Sequence, residues 1–229
     1  AVATPAGVID DSGRPLRATE PPRRIISLIP AVTETLVALG VRDRLVARTN
    51  YDRDPALAAL PSVGGGLTPS VEWLATRQPD LVVAWPDATS RSLVERLRAL
   101  DIPVYAARTE TLADAFRTIR NLGELLGVPA RADSLEAALR AELDSVRAAT
   151  AGRPRPSVLY LASLDPPAAA GPGTFIGELI DAAGGRNILD DAGWPWPQVA
   201  VEEIVRRRPD VIILSLGGPG AAGAAERLR

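Results

Sequence analysis

Residues 70–83 read SVEWLATRQPDLVV, and residues 200–213, 130 positions later, read AVEEIVRRRPDVII. In both segments a short amphipathic stretch with a glutamate near its start is followed by Pro-Asp and an apolar run. This pattern predicts a helix, a break and a buried strand. Because the unit occurs twice in one chain, we interpret it as an internal repeat and expect two similar lobes.

Outward from this repeat, short apolar runs alternate with helical patterns along most of the chain. Alternation of this kind predicts parallel sheets covered by helices, an α/β fold. Strands are predicted at 25–29, 45–48, 81–85, 102–106, 158–162 and 211–216, and helices at 33–39, 69–77, 89–100, 112–126, 174–183 and 200–207. Thr33 is predicted to cap the first helix. Residues 1–23, rich in Pro, Gly and Asp, are predicted to form an extended arm.

The segment 129–151 predicts one long helix. Pro129 suits a first helical position, and Gly152 suits the end. Apolar residues recur at helical spacing, at Leu135, Leu139, Leu143 and Val146. At about 1.5 Å per residue the helix would span roughly 33 Å. That length suits a strut between two lobes at 1–128 and 152–229; an ordinary long packing helix is the alternative.

Composition excludes much familiar chemistry. The chain contains no His and no Cys, and all of its basic residues are Arg. Disulfides, thiolate sites, histidine bases and lysine Schiff bases are therefore ruled out. Carboxylates, hydroxyls and Arg remain for chemistry, and we predict no catalytic and no metal-ligating residues among them. A net charge of −2 with interspersed signs gives no reason to expect a nucleic-acid partner. No apolar run approaches the length of a membrane span, and the Ala-Val-Ala start fits a chain trimmed after secretion.

Aromatic residues follow predicted strands, although they make up only 4% of the chain. Trp85 stands at the end of the predicted strand 81–85 and Tyr51 shortly after the strand 45–48, where open parallel sheets bind ligands. Trp194 and Trp196 lie in the stiff segment GWPWPQ, residues 193–198, and we expect one ring to pack and the other to line a cavity. The alternative is that these aromatics fill gaps between helices.

Two carboxylates occupy equivalent positions in the repeat. Glu72 and Glu202 each fall near the start of a predicted helix, where a negative charge is stabilising. They could also form one exposed contact per lobe for a two-fold symmetric partner that carries Arg. The loop 171–174, before another helix, could offer backbone N–H groups to a ligand, although a plain helix start is the simpler reading.

Several segments together resemble one family. They are RIISLIPAVTETL at 24–36, Glu72 with PDLVVAW at 79–85, residues 171–175, AGGRNI at 183–188 and WPWPQV at 194–199. This set is similar to the periplasmic binding proteins for cobalamin, iron–siderophores and haem, and most similar to the cobalamin branch. The resemblance implies two Rossmann-like lobes with parallel sheets, joined by one rigid interlobe helix at 129–151.

The resemblance also implies sites. In this family the ligand lies in the interlobe cleft against aromatic side chains, and by position these are Tyr51, Trp85 and Trp196. The glutamates that dock on the membrane permease subunits of the ABC importer fall on Glu72 and Glu202. The chain departs from the family at Gly64–Leu67 and at Ala168–Ala170, where cobalamin binders can carry bulky aromatics. It also ends at Arg229, before the family's further strand and helices, so the second lobe is expected to be incomplete.

The implied function is that of an extracytoplasmic solute-binding protein. It would capture cobalamin or a related corrinoid and deliver it to an ABC importer, as a monomer, either free or lipid-anchored, with no cofactor of its own and no enzyme activity. A ferric-siderophore or haem binder of the same family is the first alternative. An α/β enzyme working through Asp52, Asp54 or Asp87 and a sensor-coupled binding module are the others.

Overall fold

The structure, a computed structural model, describes residues 7–17, 20–164 and 166–215. Its strands are β1 (Gly7–Ile9), β2 (Pro15–Arg17), β3 (Ile25–Ser27), β4 (Leu45–Ala47), β5 (Leu81–Ala84), β6 (Val104–Ala106), β7 (Ser157–Leu164), β8 (Pro167–Ala169), β9 (Arg186–Asn187) and β10 (Val211–Leu214). Its helices are α1 (Pro30–Ala38), α2 (Val71–Thr76), α3 (Ala88–Ala99), α4 (Leu112–Leu125), α5 (Pro129–Thr150), α6 (Phe175–Ala182) and α7 (Val201–Arg207).

The chain divides into two compact units. The first comprises the described residues of Ala1–Thr109 and Ala113–Ala138, and the second those of Glu110–Leu112 and Leu139–Arg229. Helix α5 contributes residues to both units, its first part to the first unit and its second part to the second. Each unit contains a sheet of its own, as the internal repeat predicted.

The first unit is built on a parallel sheet with the strand order β4-β3-β5-β6. Every residue of β3, β5 and β6 is buried, as expected for strands whose two faces are covered. Because all four strands are parallel, their carboxyl ends share one edge. The loops that follow β4 and β5 therefore lie along the same edge of this sheet.

Helix α1 begins three residues before the predicted start. Pro30 ends the preceding extended segment and is also the first helical residue, where its missing N–H is not needed. Thr33 is therefore not the cap. It lies inside the helix, buried, and its hydroxyl donates to the carbonyl oxygen of Ile29 at 3.3 Å. The cap prediction was wrong because Pro30 was taken only as a strand terminator.

Residues 7–17 of the predicted extended arm form a hairpin instead, while residues 1–6 and 18–19 of that arm lie outside the described residues. Strands β1 and β2 pair antiparallel, and the turn between them is organised by Asp10. Its Oδ1 accepts from the N–H groups of Ser12 at 3.0 Å and Arg14 at 2.9 Å, while its Oδ2 meets the Arg98 guanidinium at 3.2 Å. The Asp-Asp-Ser-Gly turn between two short apolar segments carried this signal. It was missed because each strand has only three residues.

The second unit contains a mixed sheet with the order β10-β7-β8, and β9 also pairs with β7. Strands β9 and β10 run parallel to β7, whereas β8 folds back antiparallel. The buried residues Leu159 and Leu161 of β7 form its core with apolar residues that include Ile188, Val199 and Ile204. Strand β8 was not predicted because Pro-Ala-Ala has low strand propensity; it pairs only because β7 is long enough to hold it.

Helix α5 starts where the sequence predicted and ends at Thr150, one residue before the predicted end, and Gly152 has a φ of +75°. Over its 22 residues only Ala132 is buried. Leu139 and Val146, which belong to the apolar series, are exposed. The helix is therefore held mainly by its first turns, where Ala132 packs against Gly123, a position that leaves no room for a side chain.

The repeat corresponds to the same local structure in both units. Gln78 and Arg208, at equivalent positions, each adopt the left-handed conformation that ends the helix, with φ of 48° and 45°. The aspartate two residues later then binds the start of the neighbouring strand. Asp80 accepts from the N–H of Arg24 at 2.8 Å, and Asp210 accepts from the N–H of Ser157 at 2.7 Å. The aspartate of the repeated Pro-Asp pair thus aligns two strands in each unit.

Candidate functional site

Tyr51 stands in a turn directly after β4. Its N–H donates to the hydroxyl of Thr49 at 3.1 Å, and the N–H of Thr49 donates to Asp52 Oδ2 at 2.5 Å. Thr49 is fully buried, so these bonds fix the backbone on both sides of Tyr51. The Tyr51 side chain remains 63% exposed at the carboxyl edge of the first sheet. A large apolar ring held out from a rigid turn is available for a ligand.

The glycine segment 64–66 packs beside this turn. The carbonyl oxygen of Gly64 accepts from the N–H of Asn50 at 2.8 Å. A Cβ at Gly66, which has a φ of +84°, would lie 2.4 Å from the carbonyl oxygen of Leu28. Glycine is required here because two backbone segments approach each other closely.

Trp85 follows β5 at the same edge and is half-buried. The carboxylates considered for an enzyme lie nearby in sequence. Asp87 caps α3 and Asp54 caps the short 3-10 turn Pro55–Leu57, each accepting from a backbone N–H, at 2.7 and 2.8 Å. Asp52 closes the Tyr51 turn in the same way. All three therefore stabilise local backbone structure.

In the second unit the segment 193–198 is pinned along β8. The N–H of Gly171 donates to the carbonyl oxygen of Pro195 at 2.8 Å. The N–H of Ala169, the last residue of β8, donates to the carbonyl oxygen of Pro197 at 3.0 Å. A Cβ on Gly171 would lie 2.6 Å from the carbonyl oxygen of Trp194, so the two segments are in close contact. The expectation that one ring packs was wrong. Trp194 is 68% exposed and Trp196 39% exposed.

Glu72 occupies the first turn of α2, whose N-cap is Ser70. Its carboxylate accepts from the Ser70 hydroxyl at 3.0 Å and pairs with the Arg96 guanidinium of α3 at 2.6 Å. Hydrogen bonds from its own backbone N–H and from Ser70, together with the charge of Arg96, lower the pKa of Glu72. The carboxylate is thus held ionised while it stays exposed. Arg96 was missed from sequence because the pair joins two helices that no local pattern connects.

Glu202 occupies the equivalent turn of α7 and is exposed, but its surroundings differ. The adjacent Glu203, and not Glu202, forms ion pairs with Arg206 and, at 2.5 Å, with Arg207. These hydrogen bonds lower the pKa of Glu203. Among the contacts recorded for the described residues, none engages the carboxylate of Glu202. The two repeats therefore present one paired and one unengaged carboxylate.

The loop 171–174 is a plain helix start. Thr174 is the N-cap of α6 and accepts from the N–H of Gly177 at 3.1 Å. The N–H of Phe175 donates to the carbonyl oxygen of Glu110 at 2.5 Å. The N–H of Gly171 is likewise bonded to the carbonyl oxygen of Pro195, so the backbone donors of Gly171 and Phe175 are already engaged within the second unit.

Within residues 7–17, 20–164 and 166–215, no group of three or more acidic side chains is arranged to hold a metal ion. In the same ranges no helix is both long and apolar enough to cross a bilayer.

Comparison with known proteins identifies relatives over most of the chain. Residues 25–228 match the family described as periplasmic binding protein. The chain is 30% identical over 199 residues to a vitamin B12-binding protein of Vibrio parahaemolyticus, covering 86% of this chain and 72% of the relative. The solved periplasmic vitamin B12-binding protein of Vibrio cholerae superposes with a TM-score of 0.75 and 31% identity, over 90% of this chain and 83% of that one. A periplasmic heme-binding protein from Pseudomonas aeruginosa superposes with a TM-score of 0.80 and 26% identity, over 90% and 77%.

These matches agree with the architecture described above. The α/β fold with two lobes, predicted from the repeat and from the segments at 24–36 and 194–199, is confirmed by structures that superpose over nine-tenths of the chain. The family match begins at the first residue of β3 and includes every described element that follows. The chain belongs to the periplasmic binding protein family.

Proposed function

We propose that this chain is an extracytoplasmic solute-binding protein that captures cobalamin or a related corrinoid and delivers it to an ABC importer. The observation that carries the proposal is the identity of 30% over 86% of the chain with a relative named for vitamin B12. Solute capture requires no reactive side chain, which agrees with a sequence that lacks His, Cys and Lys. The ligand is the transported cargo, and the protein needs no cofactor of its own.

The proposed ligand contacts are Tyr51 and Trp85 of the first unit and Trp196 of the second. A corrin offers a broad apolar face with a rim of amides, and flat aromatic side chains bury large areas against such faces. Tyr51 and Trp196 are exposed on backbones that hydrogen bonds and prolines already fix. Binding would therefore cost little ordering entropy, which favours high affinity.

The proposed docking residues are Glu72 and Glu202. Each is an exposed carboxylate in the first turn of a repeated helix, and an arginine of the permease can bind such a group through two parallel hydrogen bonds. Glu72 already contacts Arg96 at 2.6 Å, so an arginine of the permease must share or displace that pair. Glu202 has no such competitor among its recorded contacts.

We further propose that the protein acts outside the cytoplasmic membrane as a monomer, free or lipid-anchored. We assign residues 1–128 to the N-terminal lobe, 129–151 to the interlobe helix and 152–229 to the C-terminal lobe. Limited proteolysis tests the second boundary, since cleavage should concentrate near residue 152, where residues 151–156 are exposed.

Haem is the second candidate ligand, favoured by the superposition on the Pseudomonas aeruginosa heme-binding protein. Proteins hold haem iron through His, Cys, Met or Tyr. This chain has no His, Cys or Met, so only a tyrosine could serve. Tyr105 is fully buried and accepts from the Asn121 amide at 3.0 Å, whereas Tyr51 is exposed. A cobalamin brings its own axial ligands, so the composition favours the corrinoid.

Titration of the purified, ligand-free protein with cyanocobalamin and with haemin separates the two candidates. We expect one cyanocobalamin per chain by calorimetry, and weaker binding in Trp196→Ala. Trp73→Phe is the matched control, because Trp73 packs inside the first unit with the Arg77 guanidinium 4.5 Å from its ring. Saturable binding of haemin alone, abolished by Tyr51→Phe, would transfer the assignment to haem. Binding of neither compound would refute the proposed ligand class.

Uptake measurements test docking separately. In cells that carry the cognate permease, Glu202→Gln and Glu72→Gln should reduce corrinoid uptake while the purified variants bind the ligand normally. Glu203→Gln is the matched control, because the carboxylate of Glu203 already forms ion pairs with Arg206 and Arg207. Normal uptake by both docking variants contradicts the docking assignment.

A further inference from the structure

The aromatic side chains of the described residues fall into three groups. Trp73, Tyr105 and Phe116 have internal packing roles, and Trp85, Tyr160 and Phe175 are half-buried. The exposed rings are Tyr51, Trp194 and Trp196. Two of these three are proposed ligand contacts on other grounds. Trp194, the most exposed at 68%, has no function assigned so far.

The position of Trp194 is set by its backbone. The carbonyl oxygen of Trp194 lies 2.6 Å from where a Cβ of residue 171 would stand, and the next carbonyl, that of Pro195, accepts from the N–H of Gly171. Pro195 also restricts the backbone of Trp194 itself. The backbone that carries Trp194 is therefore fixed against Gly171, while its side chain stays exposed. Together with the exposed Trp196, it offers an apolar surface to a ligand.

Trp196 is two residues away on the same pinned segment, and Pro197 restricts it in the same way. Since Trp196 is less exposed than Trp194, the ring of Trp194 is the more peripheral of the two. A peripheral indole can contact the edge of a broad ligand. It can also donate its Nε1–H to an amide or carboxylate on the rim of that ligand.

We infer that Trp194 is a second aromatic contact of this loop for the same planar macrocycle, resting on the edge of the ring and its polar rim. The inference rests on the proposed function and extends it, because two aromatic side chains of the second unit, Trp194 and Trp196, would then contact the ligand. The Trp194 contact would favour ligands wider than a small solute, such as a corrin or a porphyrin, over compact solutes.

The expected effect follows from the free surface of the ring. An exposure of 68% leaves about 100–170 Å² of Trp194 available for contact. A peripheral ring buries about half of that area, which corresponds to roughly a tenfold to thirtyfold change in Kd. Trp194→Phe keeps most of the apolar contact and loses the N–H donor, so its loss should be smaller.

The test titrates cyanocobalamin into the wild-type chain, Trp194→Ala, Trp194→Phe and Trp196→Ala, with intrinsic fluorescence as a second readout. Leu100→Ala is the control, because Leu100 is a similarly exposed apolar residue at the end of α3 in the first unit. We expect Trp194→Ala to bind ten to thirty times more weakly and Leu100→Ala to bind as the wild type does. The fluorescence quench at saturation should be smaller in Trp194→Phe.

The outcomes separate this inference from the proposed function. If Trp194→Ala binds as tightly as the wild type while Trp196→Ala is weakened, the role of Trp194 is refuted and the proposed function stands. If neither the wild type nor any variant binds cyanocobalamin or haemin, both the inference and the proposed function are refuted. A lipid role is the competing explanation. A Trp194→Ala variant that loses binding to phosphatidylethanolamine–phosphatidylglycerol vesicles, while its Kd for cyanocobalamin stays unchanged, would overturn the inference and support the lipid role.

Discussion

Replacing Gly171 by alanine should displace the tryptophan segment. The new Cβ would lie 2.6 Å from the carbonyl oxygen of Trp194, 3.1 Å from Cδ of Pro197 and 3.3 Å from the carbonyl oxygen of Pro195. Two of these neighbours are backbone atoms, so no side-chain rotation relieves the clash. The segment must move outward by several tenths of an ångström and stretch the hydrogen bond from Gly171 to Pro195, now 2.8 Å long.

Overpacking of this kind costs about 1–3 kcal/mol. For a chain of this size each kcal/mol lowers the Tm by about 2–4 °C, so the expected fall is about 2–12 °C. Ligand affinity should fall as well. Trp196 has 39% of its surface free, or about 60–100 Å², and complete loss of that contact sets a ceiling of about sixtyfold in Kd.

Gly193→Ala is the matched control. Gly193 lies in the same segment, has no atom within 4 Å of its added Cβ and has no positive φ. Thermal unfolding and cyanocobalamin titration of the two variants test the reasoning together. Gly193→Ala should unfold and bind as the wild type does. If Gly171→Ala matched it in both assays, the segment would not be pinned through Gly171.

Three further predictions concern ionised groups. Arg96→Ala should raise the pKa of Glu72 toward its ordinary value, measured by NMR titration, because the charge of Arg96 helps to lower it; an unchanged titration contradicts the ion pair. Hydrogen bonds from Ser157 lower the pKa of Asp210 below the unfolded-state value of about 3.9, so their stabilisation is present above that pH and is lost as pH falls through the folded-state pKa. Asp210→Asn should therefore lower the Tm at pH 7 and reduce its decline below pH 4; parallel pH profiles would contradict this. Asp10→Ala should destabilise the first unit by about 2–4 kcal/mol in urea unfolding, since a buried carboxylate with several partners is lost. A change below about 0.5 kcal/mol, the usual range for surface sites, would show that Asp10 does not hold the β1–β2 hairpin in place.

The strands and most helices were predictable because their signal is local. The apolar runs at Leu81–Ala84 and Val211–Leu214 coincide with strands in the structure, and the two Pro-Asp breaks mark their starts. The start of α1 was predicted wrongly, since Pro30 can terminate one element and begin the next. The sequence also showed that Tyr51 and Trp85 follow strands, and the parallel sheet of the first unit then places the ends of those strands at one edge.

Other features depended on contacts between distant residues. The pairing of Glu72 with Arg96 joins two helices, and nothing in either helix alone requires it. The position of the tryptophan segment depends on Gly171, whose role becomes visible only when the segment lies against it. The exposure of Trp194 was likewise unpredictable from sequence, because hydrophobicity alone favours a buried ring.

The ion pairs described above all place an arginine against a carboxylate, as in Arg98 with Asp10 and Arg207 with Glu203. Pairing raises the pKa of Arg207 further above its already high value. Since the chain has no His, Cys or Lys, no side chain has an ordinary pKa between about 5 and 9. Proton uptake by side chains on unfolding should therefore be small in the middle of that range. Such a protein would hold its structure and its charge pattern almost unchanged while the acidity of its surroundings drifts, a useful property outside the buffered interior of a cell.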